Sequence, residues 1–208
     1  MHRILAKHVS QHVGKRIQVR GWLNTTRAFG KLIFLIVRDR SGFVQVIVER
    51  PEERRKIEHL QPGSIVAVEG LVVQSKEETQ GVEIAEAVVT VENVVRAAPP
   101  IEYYKPQIRS DLDVILDHRP IALRNREIAA VFKIQAEMAH AYRLYMHDRV
   151  QAVEYFAPNI IGASSEGGAE FFNVDYFGYT ATLAQSSQLY KQIMVGVNER
   201  VFALMPFF

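Results

Sequence analysis

The chain reads as an α+β protein, with a five-stranded β-barrel in front and an α/β domain behind it that opens on a long helix. Three observations predict this. Residues 16–95 hold five apolar or alternating runs, with one short helical stretch between the third and the fourth. Pro99-Pro100 then stops any further strand, because proline cannot donate to a ladder. Beyond it, Val131, Ile134, Met138, Ala141 and Tyr145 recur at alternating gaps of three and four, the stripe of an amphipathic helix.

The elements follow in order. RIQVRGWL (16–23) alternates, with Ile17, Val19, Gly21 and Leu23 on one face. KLIFLIVRD (31–39) is apolar and β-branched, and Arg40-Ser41-Gly42 supplies a turn. In FVQVIVE (43–49), Val44, Val46 and Val48 point one way. PEERRKIEHL (51–60) starts with Pro at a first helical position and has acids in its first turn, so a short helix is expected. SIVAVEGLVVQS (64–75) and VEIAEAVVTVENVV (82–95) complete the set. Three strands, a helix and two strands is the order of an OB-fold, a small barrel that closes its own edges. Arg96–Pro106 reads as a linker whose two tyrosines pack on a neighbour. From Asn125, which can cap the long helix with Glu127 in its first turn, a second domain begins. After Asp148, short strands are expected near 152–156, 170–175 and 179–184, a helix near 187–196 and a last strand at 200–204. The resulting division is 1–95, a hinge at 96–124, and 125–208.

With 48% hydrophobic and 23% charged residues, the chain can bury a core. It has no apolar run of about 18 residues, so no membrane partner is expected. Its N-terminus, MHRILAKHVSQHVGKR, lacks the apolar segment of a secretory signal, and a cytoplasmic location is the default. Zero cysteines exclude disulfides and thiolate chemistry, and the seven histidines show no metal-ligand spacing. Charge is uneven: residues 1–60 carry 13 Lys and Arg against 5 Asp and Glu, residues 61–95 one against six. A basic front end is the footprint of a nucleic-acid binder, and equally that of a solvated surface.

Three barrel residues have the chemistry to read bases. Phe34 can stack a base, although an aromatic among apolar neighbours is otherwise read as core. Gln45 interrupts an apolar strand with an amide that both donates and accepts. Arg27, read as lying in the loop before the second strand, can hold phosphate or a base.

The stretch VRGWLNTTRAFGKLIFLIVRDRSGFVQVIVE resembles the anticodon-binding barrel of the aspartyl, asparaginyl and lysyl-tRNA synthetases. The resemblance implies that Arg27, Phe34 and Gln45 contact the anticodon, with the ring stacking on a base. It treats Arg38-Asp39 as structural. NREIAAVFKIQAEMAHAYRLYMHDRVQAVEYFAPNIIGASSEGGAEFF resembles the start of a class II synthetase catalytic domain, an antiparallel α/β fold. The long helix and Pro158 then match the motif that forms the family's dimer interface, so a homodimer is implied, with Ala157 and Arg149-Val150 departing from the family pattern. In the segment 164–170 (SSEGGAE), Glu166 would meet the ammonium group of the amino acid. In the segment 184–192 (AQSSQLYKQ), Ser186, Gln188 and Lys191 would bind aspartate, with Ser187 where the family has Pro. A buried Lys191 facing a carboxylate favours aspartate over asparagine.

The resemblance runs out at NERVFALMPFF, on the approach to the second class II motif, where the family places its ATP-binding arginine. Catalytic residues are therefore expected outside these 208 residues, as are most of those for ATP and Mg²⁺, and the chain alone is expected not to aminoacylate. The expected partners are aspartate and tRNA-Asp, with tRNA-Asn turning on a few barrel positions, Asn24 among them. The rival readings are a non-catalytic OB-fold nucleic-acid binder, an asparaginyl enzyme, and a small-molecule paralogue that lacks the barrel.

Overall fold

The computed structural model describes residues 2–75, 81–162 and 170–208, in two compact units, 1–129 and 130–208. The first unit is built on β1 (Arg16–Phe29), β2 (Leu32–Arg38), β3 (Phe43–Val48), β4 (Ile65–Gln74) and β5 (Val82–Asn93), with helix α1 (Pro51–Ile57) between β3 and β4. The strands close into a barrel in the order β1-β2-β3-β5-β4. All pairings are antiparallel except β3 with β5, whose parallel contact at Gln45–Glu83 and Val46–Ile84 joins the two halves.

The alternation in the sequence sets which side chains turn inward. Val19, Leu23, Leu35, Val46, Val68 and Ile84 are each at most 2% exposed and form the centre of the barrel core. Gly21 allows the curvature. A Cβ there would run into the carbonyl oxygen of Arg38 on the neighbouring strand. Glu53 of α1 is buried, and its carboxylate accepts from the Val89 amide at 2.7 Å and from Lys56 Nζ at 2.8 Å. That bond ties the helix to β5. A short 3₁₀ helix, Ala6–His12, contributes Val9 to the same core.

The segment after the barrel carries two short helices, α2 (Leu112–Asp117) and α3 (Arg119–Ala122), that the sequence reading did not foresee. The polypeptide at 103–105 is held within the first unit. Asn24 Nδ2 donates to the Tyr104 carbonyl at 3.4 Å, and Asn125 Nδ2 donates to the carbonyls of Tyr103 and Lys105 at 2.9 and 2.8 Å. Tyr103 is buried, its hydroxyl beside Gly63 at the foot of the barrel. Asn125 also caps α4 (Arg126–Asp148), its Oδ1 accepting from the amides of Glu127 at 2.9 Å and Ile128 at 3.4 Å.

In the second unit, β6 (Val153–Glu154) pairs in parallel with β10 (Val201–Phe202). A three-stranded antiparallel sheet runs in the order β7 (Ile160–Ile161), β9 (Tyr179–Leu183), β8 (Asn173–Tyr176). Helix α5 (Gln188–Asn198) separates β9 from β10. Neither α4 nor α5 has a buried residue. The α4 stripe at Val131, Ile134, Met138 and Tyr145 is 59–68% exposed.

Candidate nucleic-acid interface and amino-acid pocket

The outward-facing residues of β1, β2, β3 and β5 line up in rows, because directly opposed residues share a face of the sheet. One row is Arg27, Phe34 and Ile47. The next is Thr25, Ile36, Gln45 and Glu83. A third is Trp22, Arg38 and Phe43. Arg27, Phe34 and Gln45 therefore stand on one patch of the barrel wall.

One expectation is corrected here. Arg27 is not in a loop. A bulge between Leu23 and Thr25 lets β1 run on to Phe29, and the hairpin closes over Gly30 and Lys31, with Gly30 at φ +57°. Of the two readings given for Phe34, the core one does not fit its position. Phe34 lies between the buried Ile33 and Leu35 and points the opposite way, half-buried.

Gln45 has a partner that the sequence reading missed. Its Nε2 donates to Glu83 Oε2 at 2.9 Å, and Ser75 Oγ donates to the same oxygen at 3.4 Å. A carboxylate can only accept, so the amide nitrogen must face Glu83 and the amide oxygen must face away from it. Glu83 thereby fixes which end of the Gln45 amide it meets. The signal in the sequence was an acid inside an apolar strand, the same interruption that marked Gln45. Asn24 sits at the β1 bulge, 9% exposed, with its amide turned to the Tyr104 carbonyl and away from this patch.

In the second unit, the segment after β9 is held from several directions. The Ala184 amide donates to the Asn159 carbonyl at 2.8 Å, and Gln185 Nε2 to the Glu170 carbonyl at 2.8 Å. Ser187 is buried, its Oγ 2.7 Å from the Tyr155 hydroxyl, and its carbonyl accepts from the Lys191 amide at 2.8 Å to open α5. Serine at this position thus forms a bond that proline could not. Ser186 Oγ accepts from the Gln188 amide at 3.4 Å, which brings those two together at the start of α5. Lys191 lies one turn on and is exposed, not buried as expected, because nothing among the described residues packs over this face of α5. Pro158 is exposed between β6 and β7. Glu166 lies outside the described residues.

Comparison with known proteins agrees with both halves. The family model described as "OB-fold nucleic acid binding domain" matches residues 17–96, and that of "tRNA synthetases class II (D, K and N)" matches residues 111–208. The chain is 38% identical over 204 residues to the aspartate–tRNA(Asp/Asn) ligase of Thermus thermophilus, covering 98% of this chain and 47% of that protein. It is 36% identical over 203 residues to the protein of the same name in Sulfurisphaera tokodaii, covering 97% and 47%. Among solved structures, the asparaginyl-tRNA synthetase of Pyrococcus horikoshii complexed with asparaginyl-adenylate superposes with a TM-score of 0.89 at 29% identity, covering 100% of this chain and 48% of that one. The chain spans about half the length of the relatives it matches.

Proposed function

We infer, for a chain that belongs to the class II tRNA synthetases of the D, K and N group, that it is the anticodon-reading part and the start of the catalytic domain of an aspartate–tRNA ligase. The observation that carries this reading is the shared patch of Arg27, Phe34 and Gln45 on the barrel, with Gln45 oriented by Glu83. In it, Phe34 stacks a base of the anticodon, Gln45 Oε1 accepts from that base's edge, and Arg27 neutralises the adjoining phosphate. Stacking supplies sequence-tolerant affinity, and the fixed amide supplies selectivity.

Ser186, Gln188, Lys191 and Glu166 form the aspartate side of the active site. The Lys191 ammonium is matched to the side-chain carboxylate and Glu166 to the α-ammonium. Lys191 is exposed in this chain, so its selectivity requires a further surface to close over α5. The exposed apolar stripe of α4 and Pro158 form the homodimer contact. Residues 1–95 act as the anticodon domain, 96–124 as its hinge and 125–208 as the catalytic portion, in a cytoplasmic enzyme. In this reading ATP and Mg²⁺ are cofactors of the whole enzyme. The asparaginyl alternative is not favoured, since curated relatives 36–38% identical to the chain are aspartate–tRNA ligases. Their Asp/Asn names make tRNA-Asn the second tRNA to test.

The test is binding of the chain to tRNA-Asp, tRNA-Asn and an anticodon-substituted tRNA-Asp. The substituted tRNA is expected to bind more weakly. Phe34→Ala should lose about 1–3 kcal/mol of affinity, and Gln45→Ala should erase the discrimination. Equal binding of all three tRNAs by the unaltered chain would sink the anticodon reading.

A further inference from the structure

A second cluster of cations lies on the barrel side of the hinge, away from the base-reading row. A cleft of about 180 Å³ is lined by Asn24, Phe43, Tyr103, Tyr104, Lys105, Pro106, Arg124 and Arg126. Arg38 pairs across the strands with Phe43 of this lining and feels the charge of Arg124, and it stands on the same face of β2 as Phe34. The two are four steps apart along the strand, about 13 Å.

The charges at this place are unbalanced. The guanidinium of Arg38 lies 4.8 Å from the centre of the Trp22 ring, and its Nε is buried with no hydrogen-bond partner among the described residues. Burial holds Arg38 below its usual arginine value, and the neighbouring Arg124 pulls the same way, against Tyr103 and Asp39. Asp39 acts on it only at a distance, and no ion pair joins the two among the described residues. Its oxygens already accept from the Ala6 amide at 2.8 Å, the Ser41 amide at 2.7 Å, the Ser41 hydroxyl at 2.6 Å and the Gly42 amide at 3.2 Å. Lys105 pairs with Glu102 at 2.7 Å, and among the described residues no ion pair reaches Arg38, Arg124 or Arg126. A half-desolvated cation beside a like charge is costly unless an anion completes the site. The aromatic rings of Trp22, Phe43 and Tyr104 between these cations give the mixed lining that suits a nucleic-acid strand.

We propose that Arg38, Arg124 and Arg126 form a seat for the RNA backbone, holding a phosphate of the strand that continues up β2 from the base stacked on Phe34. This rests on the tRNA-binding reading of the barrel and adds a contact that carries no base information. It divides the labour along one strand: the Phe34 end selects, the Arg38 end holds register.

The experiment is the salt dependence of tRNA-Asp binding to the full chain, for the unaltered protein and for Arg124→Gln, Arg126→Gln and Arg124→Lys. Both exposed arginines can change without disturbing the core. Each Gln variant should lower the slope of log affinity against log salt by roughly 0.7–0.9. Both should weaken tRNA-Asp and the anticodon-substituted tRNA by the same factor, leaving their ratio unchanged, and Arg124→Lys should keep most of the slope. Arg55→Gln, on the exposed side of α1, is the control and should change nothing. An unchanged slope in both Gln variants, or an equal fall in the control, overturns the seat. Failure of the unaltered chain to discriminate anticodons would instead overturn the anticodon reading, while the slopes still decide the cleft.

Discussion

The two units of this chain use their apolar residues in opposite ways. In the barrel, each apolar row of one strand meets the next, and closure leaves no strand edge, so residues such as Leu35, Val46 and Val68 disappear from solvent. In the second unit, α4 and α5 carry stripes just as apolar, yet Ile134, Met138, Ile193 and Val197 stand 59–73% exposed. What differs is closure. A barrel satisfies its own edges and faces, whereas an amphipathic helix buries its stripe only against another element. The barrel therefore fixes its outward rows by closure, and the second unit leaves apolar helix faces in the open.

The largest test of that contrast is a cavity in the barrel. Leu35→Ala should destabilise the first unit by about 2–5 kcal/mol, read by denaturant unfolding of the full chain. A loss below about 1 kcal/mol would mean the core is looser than its burial implies.

A smaller effect should come from the helix tether. Burial pushes the Glu53 carboxyl up, but the Lys56 ammonium and the Val89 amide outweigh it and leave the group below its ordinary value. Asp39 is lowered likewise, its own burial outweighed by the Ser41 hydroxyl and the amides of Ala6, Ser41 and Gly42. Groups lowered on folding contribute stability above their unfolded values, near 3.8 for Asp39 and 4.5 for Glu53, and lose it as pH falls through the folded ones. Glu53→Gln should cost about 1–3 kcal/mol at neutral pH and flatten the acid limb of stability against pH. An unchanged acid limb would move that dependence elsewhere.

The smallest effect should come from the other side of the comparison. Ile134→Ala, on the exposed α4 stripe, should shift the stability of the chain at low concentration by no more than about 0.5 kcal/mol. If it lowers stability only at high concentration, with a parallel fall in dimer content by analytical ultracentrifugation, the stripe is the self-association face. A large loss at every concentration would mean α4 is covered within the chain itself.

Local rules account for much of what the sequence reading anticipated. The alternation Ile17, Val19, Leu23 and Val44, Val46, Val48 names inward faces by period alone, since side chains of a strand alternate without exception of residue type. Asn125 could be named as a cap because its side chain acts on amides two and three residues away. Arg27 was misplaced for a reason equally physical. The β1 bulge that extends the strand to Phe29 is set by pairing with β2, which no local window contains.

The candidate site divides along the same line. Phe34, Gln45 and Arg27 are legible as base-contacting chemistry, but that they share one wall follows only from the β1–β2–β3 register. Glu83 is 38 residues from Gln45, and nothing local says that it orients the amide. Ser187 looked like a departure from a family pattern until Tyr155, 32 residues away, supplied the bond it makes. In the second unit the amphipathic stripe was legible but its burial was not, because period tells which residues share a face and not whether anything covers it. By itself, then, the sequence determined the strand faces, the helix cap and the chemistry available for a nucleic-acid face, all set by interactions within a few residues. Tertiary structure alone decided the barrel closure, the wall that gathers Arg27, Phe34 and Gln45, the Glu83 brace and the exposure of Lys191. Each of those depends on contacts between segments far apart in the chain, whose register and cover no local pattern encodes.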